Sequence, residues 1–401
     1  MGLRLAARRL RSLQFIALLL AATAQHHCSP FEFVVDGVRH SLPVSRAQAA
    51  PAAALIAKNL EDTSGGGCPE GEPDCIADAL ARAMLAHLDA CDAAGAPAAP
   101  PAPAPPSVSL GADARGRDVA MPLLGLGTWQ MGDDVAYASL CAAFASGYAM
   151  VDTAAGYGNA RGVGRAIRDC WRGARADLFV MTKIPGGLAP AEAWRAHREH
   201  LEELGLDYVD HLMVHYPAGG DWRNPENASR AARQTQWRAL EAIWDAGGAR
   251  SIGVSHYCRR HLDDVLSIAR VRPSVDQVEY HVGSQNHADL IAKCAEEGIH
   301  LMSFSPLCSW SGPDHSLVDG PLVAGVGARY GATGAQVALR YVVQQALAHP
   351  TYFGGVIPRS SDPAHIASNA AIFDFSLSDD DMALLAAATQ PAGAPGDCAV
   401  A

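Results

Sequence analysis

The sequence predicts a (β/α)8 barrel preceded by a small N-terminal module. Three observations predict it. Short apolar runs recur eight times between residues 123 and 357. The segments between them carry helical spacing or helix-forming composition. Chemically capable polar side chains end successive runs, as they do at the C-terminal mouth of such barrels.

Residues 1–24 read as a targeting segment. Arg4, Arg8, Arg9 and Arg11 precede an apolar run at 13–22, and Ala22-Thr23-Ala24 supplies a small-x-small cleavage pattern. The run is short for a bilayer span, so a cleaved signal peptide is expected ahead of an anchor or an organelle transit segment. Residues 25–95 read as a cysteine-containing accessory module. Runs at 31–35 and 38–44 flank Asp36-Gly37, a strong hairpin signal. Ile76, Leu80, Met84 and Leu88 mark one helix face between Cys75 and Cys91. Cys28, Cys68, Cys75 and Cys91 suit two disulfides behind a secretory signal, with three pairings open. Residues 96–106 contain only Ala and Pro, an extended semi-rigid spacer, and the domain boundary is placed there.

From residue 107 to 390 the texture alternates. The apolar runs are 123–126, 149–152, 178–183, 211–215, 251–254, 275–278, 300–304 and 355–357, with helical patterns at 138–145, 191–204, 236–246 and 290–297. Such a barrel typically takes about 250 residues. A doubly wound sheet also alternates, but it would bind a dinucleotide through GxGxxG after a strand. Gly125-Leu126-Gly127-Thr128-Trp129-Gln130 lacks the third glycine. Residues 391–401 read as a flexible tail. Cys141, Cys170, Cys258, Cys294 and Cys308 fall in apolar or helical patterns and are expected to be buried thiols. No CxxC or Cys/His metal spacing occurs, so no metal is expected. The balance of 42 Asp+Glu against 31 Lys+Arg, a formal charge of -11, disfavours nucleic acid and anionic membrane surfaces as partners.

Asp152 ends the second run, Lys183 the third and His215 the fourth, and Tyr157 follows in the loop DTAAGYGN. Reduction of a carbonyl by hydride needs a proton for the developing alkoxide. A phenol is a poor donor near neutrality unless a cation lowers its pKa, and Lys183 is the expected cation. A buried lysine tends to lose its proton, which Asp152 would prevent. A neutral His215 would orient the substrate oxygen. Singly, each residue also reads as a cap, a solvated charge or a core histidine.

These residues and their flanks resemble the aldo-keto reductase superfamily, in its short form, from about residue 121 to 385. The motifs are LGLGTWQ at 124–130, DTAAGYGNARGVGRAI at 152–167, MTKI at 181–184, LDYVDHLMVHYP at 206–217, SIGVSHY at 251–257, DQVEYH at 276–281, SFSPL at 303–307 and VIPRS at 356–360. The resemblance implies NADPH-dependent reduction of aldehydes or ketones, with Asp152, Tyr157, Lys183 and His215 as the catalytic residues. NADH is the other dinucleotide it admits.

Ser255 and Gln277 would then hold the nicotinamide carboxamide, beside His256 where the family usually has Asn. Phe304, in place of the usual Tyr, would stack on the ring, and Ser305, Leu307 and Ser309 would meet the pyrophosphate. Arg359 in place of Lys, Ser360, His365 in place of Arg, and Asn369 would bind the adenosine end. Trp129 and Tyr216 would line the substrate pocket, left open by a C-terminal stretch shorter than in many relatives.

The alternative is a non-catalytic or redox-sensing regulatory subunit built on the same barrel. The leader predicts residence in the endoplasmic reticulum or an organelle reached through it, where reduced nicotinamide is supplied, with the cytoplasm as the alternative. Asn227-Ala228-Ser229 would be a glycosylation site there. The oligomeric state is not legible.

Overall fold

The structure, a computed structural model, describes residues 31–35, 38–42, 106–217, 229–284, 287–308 and 315–389. The leader, the helix at 76–88, the four early cysteines, the spacer up to 105, Asn227, Ser309 and the tail lie outside the described residues. In the N-terminal unit, β1 (Phe31–Val35) and β2 (Val38–Leu42) pair antiparallel with Val35 opposite Val38. This is the hairpin expected around Asp36-Gly37. Its second strand, Val38–Leu42, lies within the expected run at 38–44, of which the last two residues are outside the described ones.

The second unit begins with an antiparallel pair that the apolar pattern does not announce, β3 (Ser107–Ala112) and β4 (Asp118–Pro122). Only one residue of β3 is fully buried, so the strand has no apolar run to read. The turn between the strands is set by Asp113, whose carboxylate accepts the N–H groups of Arg115 and Arg117.

Eight parallel strands follow: β5 (Leu126–Gly127), β6 (Met150–Asp152), β7 (Phe179–Ile184), β8 (Val209–Val214), β9 (Ala249–Ser255), β10 (Val275–Glu279), β11 (His300–Phe304) and β12 (Phe353–Val356). Each pairs with the next, and a parallel bridge from Leu124 to Val356 closes the ring. The predicted barrel is therefore present, every one of its strands overlapping or adjoining an apolar run. Those runs are nearly continuous because the strands are covered on both faces: all six residues of β7 and of β8 are buried.

The helices are α1 (Asp133–Ala145), α2 (Ala160–Cys170), α3 (Pro190–Leu204), α4 (Arg230–Asp245), α5 (Arg259–Leu266), α6 (Ala288–Glu297), α7 (Pro321–Gly327), α8 (Gly334–Ala348), α9 (Pro363–Ala370) and α10 (Asp379–Ala386). Ser229, the last residue of the sequon, caps α4 by accepting the N–H of Ala232. The crossing of α1 and α2 requires glycine at 162, where a Cβ would stand 2.0 Å from the Asp133 carbonyl oxygen. Among the described residues, no helix is long and apolar enough to cross a membrane.

Two expected thiols are paired. Cys141 on α1 and Cys170 at the end of α2 form a disulfide spanning 29 residues, with Cα atoms 5.2 Å apart. In the chain-entropy picture a closed loop of that length contributes about 3–4 kcal/mol. Cys258 is also disulfide-bonded, while Cys294 and Cys308 are buried and outside any disulfide.

The interior holds several histidines kept neutral by burial. Thr182 Oγ1 lies 2.7 Å from His200 Nε2, and Ser251 Oγ 2.8 Å from His211 Nδ1. Burial pushes His197 and His200 down to about 4 and His211 to about 3. His215, His256, His261 and His287 are lowered for the same first reason, against two carboxyls, Asp276 and Glu279, that burial raises. In the unfolded chain these histidines take up protons near pH ~6.5. The unfolded state therefore binds more protons below that pH, and stability falls as pH falls from about 6.5 toward 4. We expect the urea midpoint to decline steadily over that window; a midpoint that is level or rises would contradict it.

Candidate active site

The C-terminal ends of β6, β7 and β8 place three of the four expected catalytic residues side by side. Asp152 is the last residue of β6, Lys183 the fifth of β7, and His215 follows β8 with its N–H donated to the Ile184 carbonyl. Tyr157 ends a short 3-10 turn (Ala155–Tyr157), closed by Gly158 in the left-handed region at φ 68°. Lys183 Nζ donates to both Asp152 oxygens, at 2.7 and 2.6 Å, to the Thr153 carbonyl at 3.2 Å and to Tyr157 Oη at 3.3 Å. The ion pair is shut off from water, with side-chain exposures of 1% for Lys183 and 2% for Asp152.

These groups open into a pocket continuous with solvent, about 810 Å³ with the open space at its mouth included. Of the expected residues, Trp129, Asp152, Tyr157, His215, Tyr216, His256, Gln277, Phe304, Ser305, Leu307 and Arg359 line it. One wall is a run of rings: His215 stacks on Tyr216 at 4.5 Å, Tyr216 meets His256 at 4.4 Å, and His256 meets Phe304 at 4.8 Å. Arg359 is an exposed cation on the lining.

Four expected cofactor residues do not line it. Ser255 is fully buried, its hydroxyl donating to the Gln277 carbonyl at 2.9 Å. Ser360 forms a turn with Asp362, whose carboxylate caps α9, and Asn369 is buried on that helix. His365 is exposed, with Nε2 4.0 Å from Asp362.

The electrostatics differ from expectation at one point. Burial, and next the Asp152 carboxylate, hold Tyr157 well above its ordinary value. Lys183 is bound twice by Asp152, so its charge is largely cancelled toward the phenol. Burial lowers Lys183 itself, opposed by Asp152. Burial takes His215 down to about 2, with Lys183 and His256 adding to the effect. The resting site is thus a neutral phenol beside a neutral imidazole, which can place one O–H and one ring nitrogen around an oxygen atom.

Sequence reasoning missed the residues that hold the tyrosine loop. Asn159 donates from Nδ2 to the carbonyls of Thr128 and Met131, at 2.7 and 3.1 Å, and its Oδ1 accepts from Thr153 Oγ1. The Asn two residues after Tyr157 was the available signal, since a buried amide needs several partners. Gln277 also has a second task, donating from Nε2 to Asp152 at 2.9 Å.

A family model described as the aldo/keto reductase family matches residues 123–312 and 319–390. An aldo-keto reductase of Mycolicibacterium vanbaalenii is 39% identical over 269 residues, 67% of this chain and 88% of the relative. Human aldo-keto reductase family 1 member A1 is 36% identical over 283 residues, 65% and 84% of the two chains. Among solved structures, an aldo-keto reductase from a Medee basin deep-sea metagenome library aligns with a TM-score of 0.59 and 32% identity, covering 66% of this chain and 90% of its own. An aldo/keto reductase of Brucella melitensis gives a TM-score of 0.59 and 30% identity, covering 70% and 98%.

The buried ion pair makes a testable demand on stability. Lys183→Met strands a buried carboxylate, which typically costs about 3–5 kcal/mol, whereas Asp152→Asn with Lys183→Met removes both charges and should recover most of that loss. Urea unfolding of the two variants checks it. A double variant no more stable than the single one would show that the pair is not what the surrounding structure compensates.

Proposed function

Because the chain belongs to the aldo/keto reductase family, we propose that it reduces aldehydes or ketones to alcohols, taking hydride from a reduced nicotinamide dinucleotide, with NADPH preferred. The observation that carries this reading is the phenol of Tyr157 in the cavity, 3.3 Å from a lysine that is itself locked to a buried carboxylate.

The lining fits a dinucleotide. Phe304 and His256 offer flat faces beside the phenol, and Arg359 offers a guanidinium for a phosphate. When bound, the dinucleotide supplies the hydride. The chain supplies the rest. The faces of Phe304 and His256 orient a flat ring, and Trp129 and Tyr216 exclude water from the substrate. Neutral His215 hydrogen-bonds the carbonyl oxygen. As negative charge builds on that oxygen, Tyr157 gives up its proton from Oη. Lys183, at hydrogen-bond distance, then stabilises the phenolate until solvent reprotonates it. Positioned general acid catalysis of this kind is worth about a hundred- to ten-thousand-fold in rate.

The compartment belongs to the same proposal. The disulfide between Cys141 and Cys170 supports an oxidising lumen, in keeping with the Arg-rich apolar leader. The need for reduced nicotinamide supports the endoplasmic reticulum or an organelle reached through it over export.

Two substitutions test the reading. Tyr157→Phe should lower turnover with a panel of aldehydes and ketones by at least about a hundredfold while NADPH fluorescence titration is nearly unchanged. Activity within about tenfold of the unmutated protein would remove Tyr157 from the role of acid. Arg359→Ala should weaken NADPH by roughly ten- to a hundredfold, the loss of one charge-assisted hydrogen bond, and leave NADH nearly untouched. Equal weakening of both would assign Arg359 a structural part instead.

A further inference from the structure

Beside the pocket, the end of β10 and the turn after β11 bring together three side chains that the proposed reaction does not use. Glu279 is the last residue of β10, His281 lies two residues beyond it, and Cys308 follows the turn after β11. One ligand atom from each, a carboxylate oxygen, an imidazole nitrogen and a thiol sulfur, all lie within 4.8 Å of one another. We propose that Glu279, His281 and Cys308 form a binding site for a zinc-type divalent cation.

The imidazole is already set for the task. His281 Nδ1 lies 2.7 Å from the Val282 carbonyl, which can only accept, so Nδ1 carries the proton and Nε2 presents its lone pair. A backbone carbonyl fixing the tautomer in this way is the usual outer partner of a metal-bound histidine. Nε2 faces Glu279 Oε1 at 3.8 Å, and the His281 side chain has no exposure. The ring nitrogen and the carboxylate oxygen, the latter on a side chain 12% exposed, thus face the same space. In a tetrahedral zinc site, ligand atoms stand roughly 3.3–3.8 Å apart, given the metal–ligand bond lengths. Small side-chain movements therefore bring all three into coordination.

The donor set selects the ion. Sulfur and imidazole favour zinc over magnesium or calcium, which take oxygen ligands. Binding displaces the thiol proton of Cys308 to solvent and forms the zinc–sulfur bond, with no change of oxidation state. Three protein ligands leave the fourth position for water or another donor. Occupancy ties the turn carrying Ser305 and Leu307, both on the pocket wall, to the strand carrying Gln277. No contiguous motif marks the triad, because its third member comes from the next strand of the barrel.

The test uses the full chain, stripped with a chelator and titrated with zinc chloride near neutral pH by calorimetry. Cys308→Ser and His281→Gln should each weaken the site lost by the other. Altering an outer partner alone costs about 10–100-fold in metal affinity, so loss of a ligand should cost at least ~100-fold. Cobalt added to the unmutated protein should show a thiolate-to-metal charge-transfer band that Cys308→Ser abolishes, a readout independent of activity and, in the unmutated protein, of any folding defect. Absence of saturable zinc binding overturns the proposal. So does binding of equal strength in both variants, which places the metal on other cysteines, and so does a cobalt complex without the charge-transfer band.

Discussion

The ion pair of Lys183 and Asp152 is the constraint on which the rest of the site depends. Two full charges lie almost wholly out of water, and either one alone would carry a penalty of several kcal/mol. The surroundings answer that penalty bond by bond. Both carboxylate oxygens accept from Nζ, a further acceptor comes from the Thr153 carbonyl, and the remaining demand of Asp152 is met by the Gln277 amide. These partners come from β6, β7 and β10, and the curl of the sheet brings Gln277 to a carboxylate 125 positions away in the chain.

That pair also explains why the cavity is electrically quiet. Asp152 opposes the loss of the Lys183 proton that burial favours and adds its own field to burial at Tyr157, which rests as a full phenol. His215 rests as neutral imidazole, held there by burial and the nearby lysine. Both groups can approach an uncharged substrate oxygen without an ionic preference of their own. The lysine becomes decisive only when the phenol starts to lose its proton, because the phenolate then has a cation at hydrogen-bond distance. Burial and Asp152 disfavour the phenolate on balance, and the hydrogen bond from Lys183 at 3.3 Å offsets part of that cost.

Much of this was legible from the residues, for a physical reason. Strands covered on both faces must be apolar along their whole length, so interruptions by Asp152, Lys183 and His215 stand out against the runs that contain them. The pair β3 and β4 was not legible because its strands are mostly exposed, and the disulfide was not because its two cysteines sit on different helices 29 residues apart. The direction of the Tyr157 shift was missed for a subtler reason: sequence shows which charge lies near the phenol but not how completely another charge cancels it. His256 could be placed but not understood until its backbone was seen. Its φ of 60° lies in the left-handed region, where Asn and His are among the tolerated non-glycine residues, so exchanging the Asn usual in relatives for His keeps the backbone while adding a ring to the wall.

The opposite mouth of the barrel shows how the geometry is held. The Asp210 carboxylate, near the start of β8, accepts the Val180 N–H of β7, Arg175 and, through its other oxygen, Arg250 of β9. Arg250 continues to the Asp118 carbonyl on β4, so the hairpin preceding the barrel is fastened to the same carboxylate. This charged cluster takes no part in the proposed chemistry, yet it fixes the register of β7 against β8. Register matters here more than in a sheet with one exposed face, because a slip of one residue would turn Lys183 from the barrel interior to the helix layer. With Lys183 paired opposite Met213 and Asp152 opposite Met181, the ammonium and the carboxylate meet at 2.6 Å. The ion pair at the working end is thus positioned by polar contacts at the far end of the same strands, which is how one barrel can keep stability at one mouth and chemistry at the other.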